Sequence, residues 1–140
     1  MTKPMDKIKD RVAAVVVTYN RAEMLRQCLM SLQKQTMPCD ILVVDNASTD
    51  DTQALVQRAA QHDASIFYRN TGENLGGAGG FNFGMRWAVE AGYAFVWVMD
   101  DDCFPEPVAL EKLLDADRLL QGEYGWLSSV ALWTDGRECR

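Results

Sequence analysis

The feature that most constrains this chain is the run Tyr93-Ala94-Phe95-Val96-Trp97-Val98-Met99, followed without a break by Asp100-Asp101-Asp102. Seven consecutive apolar residues, rich in β-branched and aromatic side chains, predict a strand buried on both faces. Such strands belong to parallel sheets covered on each side by helices. The three carboxylates at its end repel one another and gain nothing from packing, so their placement calls for another reason. Hard divalent cations such as Mg²⁺ take oxygen ligands, often one or two carboxylates together with substrate phosphates. Ligands of open α/β sheets sit outside the carboxyl ends of the strands. The triplet is therefore a candidate metal-phosphate site, the alternative being a solvated acidic turn.

The rest of the chain alternates strand and helix. Val12–Thr18 reads as the first strand. Asn20 offers a cap to the following helix, with Glu23 three residues on as in a capping box. Leu25, Cys28, Leu29 and Leu32 give that helix its apolar stripe, and Met37-Pro38 ends it. Ile41–Val44 is a second strand and Asp45–Thr49 a polar turn. A helix begins near Asp50, with Leu55, Val56, Ala59 and Ala60 on its inner face. Ser65–Arg69 is a third strand. The loop Asn70–Gly80 leads to a helix from Phe81 to about Ala91, stopped by Gly92. Tyr93–Met99 follows. Pro105 and Pro107 suit the first turn of a last helix carrying Leu110, Leu113, Leu114 and Leu120. Trp126–Trp133 reads as a fifth strand and Thr134–Arg137 as a hairpin turn. The fold class expected is α/β, a Rossmann-like and mostly parallel sheet with helices on both faces. The chain stops just after the hairpin turn, so truncation of a longer protein is expected.

Parallel topology places the loops after strands one, two and four on one edge. These are Thr18-Tyr19-Asn20-Arg21, Asp45-Asn46-Ala47-Ser48 and Asp100–Asp102. The segment Asn74-Leu75-Gly76-Gly77-Ala78-Gly79-Gly80 lies nearby, and its glycines let backbone approach a phosphate beside a helix N-terminus. Arg69 could add positive charge there. For Gly84, inside the helix, tight packing is the better reading. The usual dinucleotide pattern fails, because Asn82 stands where GxGxxG requires glycine. The Walker pattern fails because Met85 replaces its lysine. The acidic triplet on the fourth strand, followed by Cys103, also departs from a haloacid dehalogenase.

Composition narrows the function classes. A net charge of −6 argues against nucleic acid as a partner, which requires a basic face. No apolar run approaches the roughly 18 residues of a membrane span, and the first residues carry no apolar signal segment. Cys28, Cys39, Cys103 and Cys139 have no CxxC spacing and His62 is the single histidine, so a zinc site is not expected. Reduced thiols fit a cytoplasmic protein.

Four stretches now resemble one family. They are Val15-Val16-Val17-Thr18-Tyr19-Asn20-Arg21; Val43-Val44-Asp45-Asn46-Ala47-Ser48-Thr49-Asp50; Asn74–Gly80 with Asn82 and Gly84; and Met99–Asp102 with Pro105. In this order they resemble the amino-terminal, nucleotide-sugar-binding half of family 2 inverting glycosyltransferases with the GT-A fold. The glycine segment and the full acidic triplet look closest to the galactofuranosyl- and rhamnosyl-transferase branch. The resemblance implies that residues 12–140 form a nucleotide-sugar-binding domain after a tail over residues 1–11, with the acceptor part absent.

The same resemblance implies residue roles. Thr18, Tyr19, Asn20 and Arg21 would wrap the nucleotide, and Asp45 would meet base or ribose. Asn74, Gly76, Gly77 and Arg69 would lie along nucleotide and diphosphate. Asp100 and Asp101 would meet the donor, and Asp100 and Asp102 would hold Mg²⁺ or Mn²⁺. The implied donor is a UDP-sugar, with UDP-galactofuranose and dTDP-rhamnose as alternatives, and the acceptor a glycan or lipid-linked glycan. Peripheral association with the inner face of a membrane is implied for the full-length protein. Inversion needs a general base to deprotonate the acceptor. That base is expected beyond Arg140, so the chain alone is expected to be inactive. Surfaces exposed by truncation are expected to favour self-association. The reading from a different class is a non-catalytic nucleotide-binding or interaction module of the same half-fold.

Overall fold

The computed structural model describes residues 11–139. Except for Arg11, the expected amino-terminal tail lies outside the described residues. The elements are β1 (Val12–Thr18), α1 (Ala22–Gln33), β2 (Asp40–Asp45), α2 (Thr52–His62), β3 (Ile66–Asn70), α3 (Gly76–Glu90), β4 (Phe95–Asp100) and α4 (Ala109–Leu120). All strand pairs are parallel, in the order β3-β2-β1-β4. The expected α/β architecture is therefore present.

Strand periodicity divides the core between two faces. Ala14, Val16, Ile41, Val43 and Met99 face α1, α2 and α4, meeting Leu25, Cys28, Leu29, Leu32, Val56 and Leu110. Ala13, Val15, Val17, Leu42 and Val44 face α3 through Trp87 and Ala88. The stripe Leu25–Leu32 expected for α1 is buried in full. Close approach of α3 depends on two glycines. An added Cβ on Gly84 would lie 2.3 Å from Val15 Cγ1, and one on Gly80 would lie 2.6 Å from Val17 Cγ1. Packing thus explains Gly84 as expected, and Gly80 as well.

Register brings the strand ends level. Thr18 pairs with Asp45, Asp45 with Asn70, and Val17 with Asp100. Sequential neighbours run outward from β1 through β2 to β3, and β4 then crosses to the other side of β1. The gap between β1 and β4 is the topological switch point, where open α/β sheets form their crevice.

Several expectations need correction. β4 is not buried on both faces. It is an edge strand of this sheet, and Val98 keeps 45% of its surface exposed. Trp126–Trp133 forms no fifth strand, because only Leu132 and Glu138 make an isolated antiparallel bridge. The turn between them is present, closed by Trp133 N–H donating to Arg137 O at 2.8 Å. Trp126 and Trp133 are both exposed. Helix α3 starts at Gly76 rather than Phe81, so the glycine segment is its first turn. Pro105 and Pro107 precede α4, and Leu120 is exposed. Asn20 does not cap α1. It is a left-handed residue (φ 50°) one position too early, and Asp50 Oδ2 instead accepts Ala22 N–H at 3.2 Å. Glu23 turns to Arg26 and Gln27.

Candidate functional site

At the switch point lies an open crevice of about 290 Å³, lined by Val17, Thr18, Tyr19, Arg21, Asn46, Asn74, Gly76, Gly77, Asp100 and Asp101. That volume is at the lower edge of the roughly 300–1,000 Å³ of small-molecule sites, and the crevice is open along one side.

Its floor is polar and fixed. Thr18, the last residue of β1, is buried, and its hydroxyl donates to Asp101 Oδ2 at 2.8 Å. Arg21 Nη1 donates to Asp101 Oδ1 at 3.2 Å and to Asp102 Oδ2 at 3.3 Å. The three acids therefore differ. Asp101 is 4% exposed and turned toward β1, and burial raises its carboxyl pKa against the opposing pull of Thr18 and Arg21. Asp100 and Asp102 are exposed; Asp100 lines the groove, whereas Asp102, expected to share the metal, lies beside it outside the lining. Asp100 uses its carbonyl oxygen to accept the Cys103 N–H at 3.2 Å, which closes the acidic turn.

The loops after β1 and β2 lock together. Asn20 Oδ1 accepts Thr49 N–H at 2.7 Å, and Asn20 N–H donates to Ser48 Oγ at 2.8 Å. Tyr19 projects at the rim, 45% exposed. Asn20 itself is spent on this lock and does not line the groove.

Two further expectations are corrected. Asp45 does not reach the groove. It is fully buried, accepting Ser48 N–H at 2.8 Å and the Tyr68 hydroxyl at 2.7 Å. Burial, then the Asp45 carboxylate, pushes the Tyr68 phenol up to about 12. Arg69 does not line the groove either; its guanidinium stacks 4.3 Å from the centre of the Trp87 ring.

Asn46, on the loop expected at this edge after strand two, is given no role by the sequence. It lines the groove, and its Nδ2 donates to Gly76 O at 3.0 Å, tying the β2 turn to the start of α3. Asn74 Oδ1 accepts Gly76 N–H at 2.9 Å, so the turn into the helix is also held from within. Gly76 requires its residue type (φ 71°), whereas Gly77 has open space around any added Cβ. The cap residue Leu75 makes no side-chain bond and Asn74 takes the Gly76 N–H, so the N–H groups of α3 left without an intrahelical partner begin at Gly77, which lines the groove.

Among the described residues, no three or more histidine, cysteine or acidic side chains gather as a metal cage. Asp100 and Asp102 offer the other arrangement, in which one or two exposed carboxylates share a Mg²⁺ or Mn²⁺ with phosphate oxygens. Their donor chemistry fits such an ion.

Proteins similar to this chain in sequence include named glycosyltransferases. An undecaprenyl-phosphate mannosyltransferase of Micrococcus luteus is 38% identical over 110 residues, covering 77% of this chain and 44% of that protein. A galactofuranosyltransferase of Mycobacterium tuberculosis is 42% identical over 94 residues, 66% of this chain and 31% of that protein. The chain thus spans less than half the length of either relative. Among solved structures, S. aureus TarS 1-349 in complex with UDP superposes with a TM-score of 0.69 at 21% identity, covering 91% of this chain and 43% of that one. That likeness establishes the GT-A fold. The mannosyltransferase PcManGT from Pyrobaculum calidifontis, in complex with GDP-Man and Mn²⁺, gives 0.62 at 27% identity, over 76% of this chain and 32% of that one. The sequence model of glycosyl transferase family 2 matches residues 13–118, and with these relatives it places the chain in that family.

Proposed function

We propose that this chain is the donor-binding region of a glycosyltransferase that uses a nucleoside-diphosphate sugar, with UDP as the leading nucleotide. The observation that carries this reading is the meeting of three elements at the β1/β4 switch point: the acidic turn, the turn after β1, and the first turn of α3. Each supplies one need of a nucleotide sugar. Tyr19 at the rim offers a face for the base. The first turn of α3 offers backbone N–H groups and a favourable helix dipole for phosphate. Asp100 and Asp102 would hold Mg²⁺ or Mn²⁺, which offsets the charge that develops on a departing diphosphate. Thr18 and Asp101 keep the acidic turn in place. Asp45 and Asn20 act behind the groove, shaping the loops on which the nucleotide would rest.

UDP-galactofuranose and dTDP-rhamnose remain the donor sugars of choice, and the acceptor a glycan or lipid-linked glycan. The relative from Micrococcus luteus, named for undecaprenyl phosphate, supports a lipid-linked acceptor and work at a membrane surface. Among the described residues no helix is long and apolar enough to cross a membrane. The general base of an inverting transfer is assigned to the part of the full-length protein outside this chain. Exposed Trp126 and Trp133 would favour self-association of the chain alone.

Calorimetric titration of the chain with UDP tests the reading. Binding is expected with Mn²⁺, weaker binding with chelator or in Asp102→Ala, and no sugar transfer by the chain alone. Absence of UDP binding under every condition would overturn it.

A further inference from the structure

Arg21 holds an unusual place for a cation beside a site meant for another cation. Its Nη1 lies 3.2 Å from Asp101 Oδ1 and 3.3 Å from Asp102 Oδ2, bridging the two carboxylates. The two partners are unequal. The Asp101 side chain is buried and also held by Thr18, whereas the Asp102 side chain is 50% exposed and has Arg21 as its one hydrogen-bond partner among the described residues. The contact to Asp101 is the fixed end of the bridge, and that to Asp102 the free end. A divalent ion held by Asp102 would bring a second positive charge close to Nη1. Like charges so placed repel, though solvent at this half-exposed site keeps the effect modest.

We infer that Arg21 is a resident counter-ion of the acidic turn: it competes with a divalent cation for Asp102, and yields when a diphosphate offers its guanidinium other oxygens. The inference rests on the donor-site reading given above. Guanidinium pairs with phosphate at least as well as with carboxylate, through the same planar fork. A nucleoside diphosphate in the groove therefore gives Arg21 a new partner and leaves Asp102 to the metal. Metal and nucleotide then strengthen each other's binding beyond their direct contact, and reciprocally, since the coupling is a property of the equilibrium.

The test measures free Mn²⁺ by electron paramagnetic resonance in titrations of the 140-residue chain, with and without UDP. Circular dichroism confirms that each variant is folded. Arg21→Gln is expected to tighten Mn²⁺ binding in the absence of UDP by about two- to fivefold, the range of a half-exposed ion pair. It is also expected to reduce the enhancement that UDP gives. Arg21→Lys, which keeps the charge without the fork, should move both in the same direction by less, and carries the test if the glutamine variant does not fold. Arg26→Gln, one turn along α1 and paired with Glu23, removes the same charge and should leave Mn²⁺ affinity unchanged. Unchanged or weaker Mn²⁺ binding in the Arg21 variants overturns the inference, as does an equal gain in Arg26→Gln. In either case UDP binding by the unaltered chain leaves the donor-site reading standing. An unaltered chain that binds neither UDP nor Mn²⁺ removes both.

Discussion

Gly84→Ala tests whether α3 is held against the sheet by the absence of a single methyl group. The added Cβ would lie 2.3 Å from Val15 Cγ1 and 3.0 Å from Val44 Cγ2. Apolar carbons rest at about 3.5–4.0 Å, so helix and sheet must separate by more than about 1 Å at this point. Both valines are fully buried in β1 and β2, whose partners on either side leave no room to retreat. Overpacking of this kind costs about 1–3 kcal/mol, and the severity of the contact puts Gly84 at the upper end. Alanine's better helix propensity returns about 1 kcal/mol. The net loss is about 2 kcal/mol. With an unfolding entropy of about 2.1 cal/mol/K per residue, a chain of 140 residues should lose about 7 °C in Tm. Gly77→Ala is the control, since nothing lies within 4 Å of its added Cβ. That variant should be neutral or gain up to about 1 kcal/mol. Thermal and urea unfolding followed by circular dichroism measure both. A Gly84→Ala chain as stable as the control would refute the packing argument.

Thr18→Val removes the donor to Asp101 Oδ2 while keeping shape, and should cost about 1–3 kcal/mol in urea unfolding because the carboxylate is buried. The pH dependence follows from Asp101. Burial raises its folded pKa, so its contribution to stability is complete below the unfolded carboxylate pKa and is lost as pH rises through the folded value. The stability of the unaltered chain relative to Asp101→Asn should therefore fall with rising pH across the acid range; a rise would contradict the assignment. Burial pushes Cys28 up to about 12 and Cys39 up to about 11, while Cys103 and Cys139 are exposed. A thiol reagent at neutral pH should modify two of the four cysteines in the folded chain and all four in urea.

Strands β1 and β2 were legible as short apolar runs, buried at every residue, and α1 was legible from its helical stripe; β3, with only Ile66 buried, was legible as a short β-prone run between turn residues. β4 was misjudged for burial because its apolar run does not encode its place in the sheet, and in this sheet it is an edge. The start of α3 was misplaced because glycines read as loop. Of these, Gly80 lets the helix lie close to Val17, and tertiary packing overrides its poor propensity. In the groove, Thr18, Tyr19, Arg21, Asn74, Gly76, Gly77, Asp100 and Asp101 come together as anticipated from parallel topology. Asp45, Arg69 and Asn46 were misassigned or missed for one reason. Topology identifies the edge on which a residue lies, whereas a side chain's direction depends on partners such as Tyr68, Trp87 and Gly76 that are distant in sequence.

The central claim is that the groove between β1 and β4 binds a nucleoside diphosphate with a divalent cation. Amide NMR of the chain, titrated with UDP and then with Mn²⁺, tests it directly, because the ion broadens resonances near its position. The account predicts broadening centred on Asp100–Cys103, reaching Thr18–Arg21 and Gly76–Gly77. Arg11, Asp40 and Tyr93, joined at the opposite edge of the sheet, should remain sharp. Broadening centred at that opposite edge, or none at these three groove segments, would contradict it.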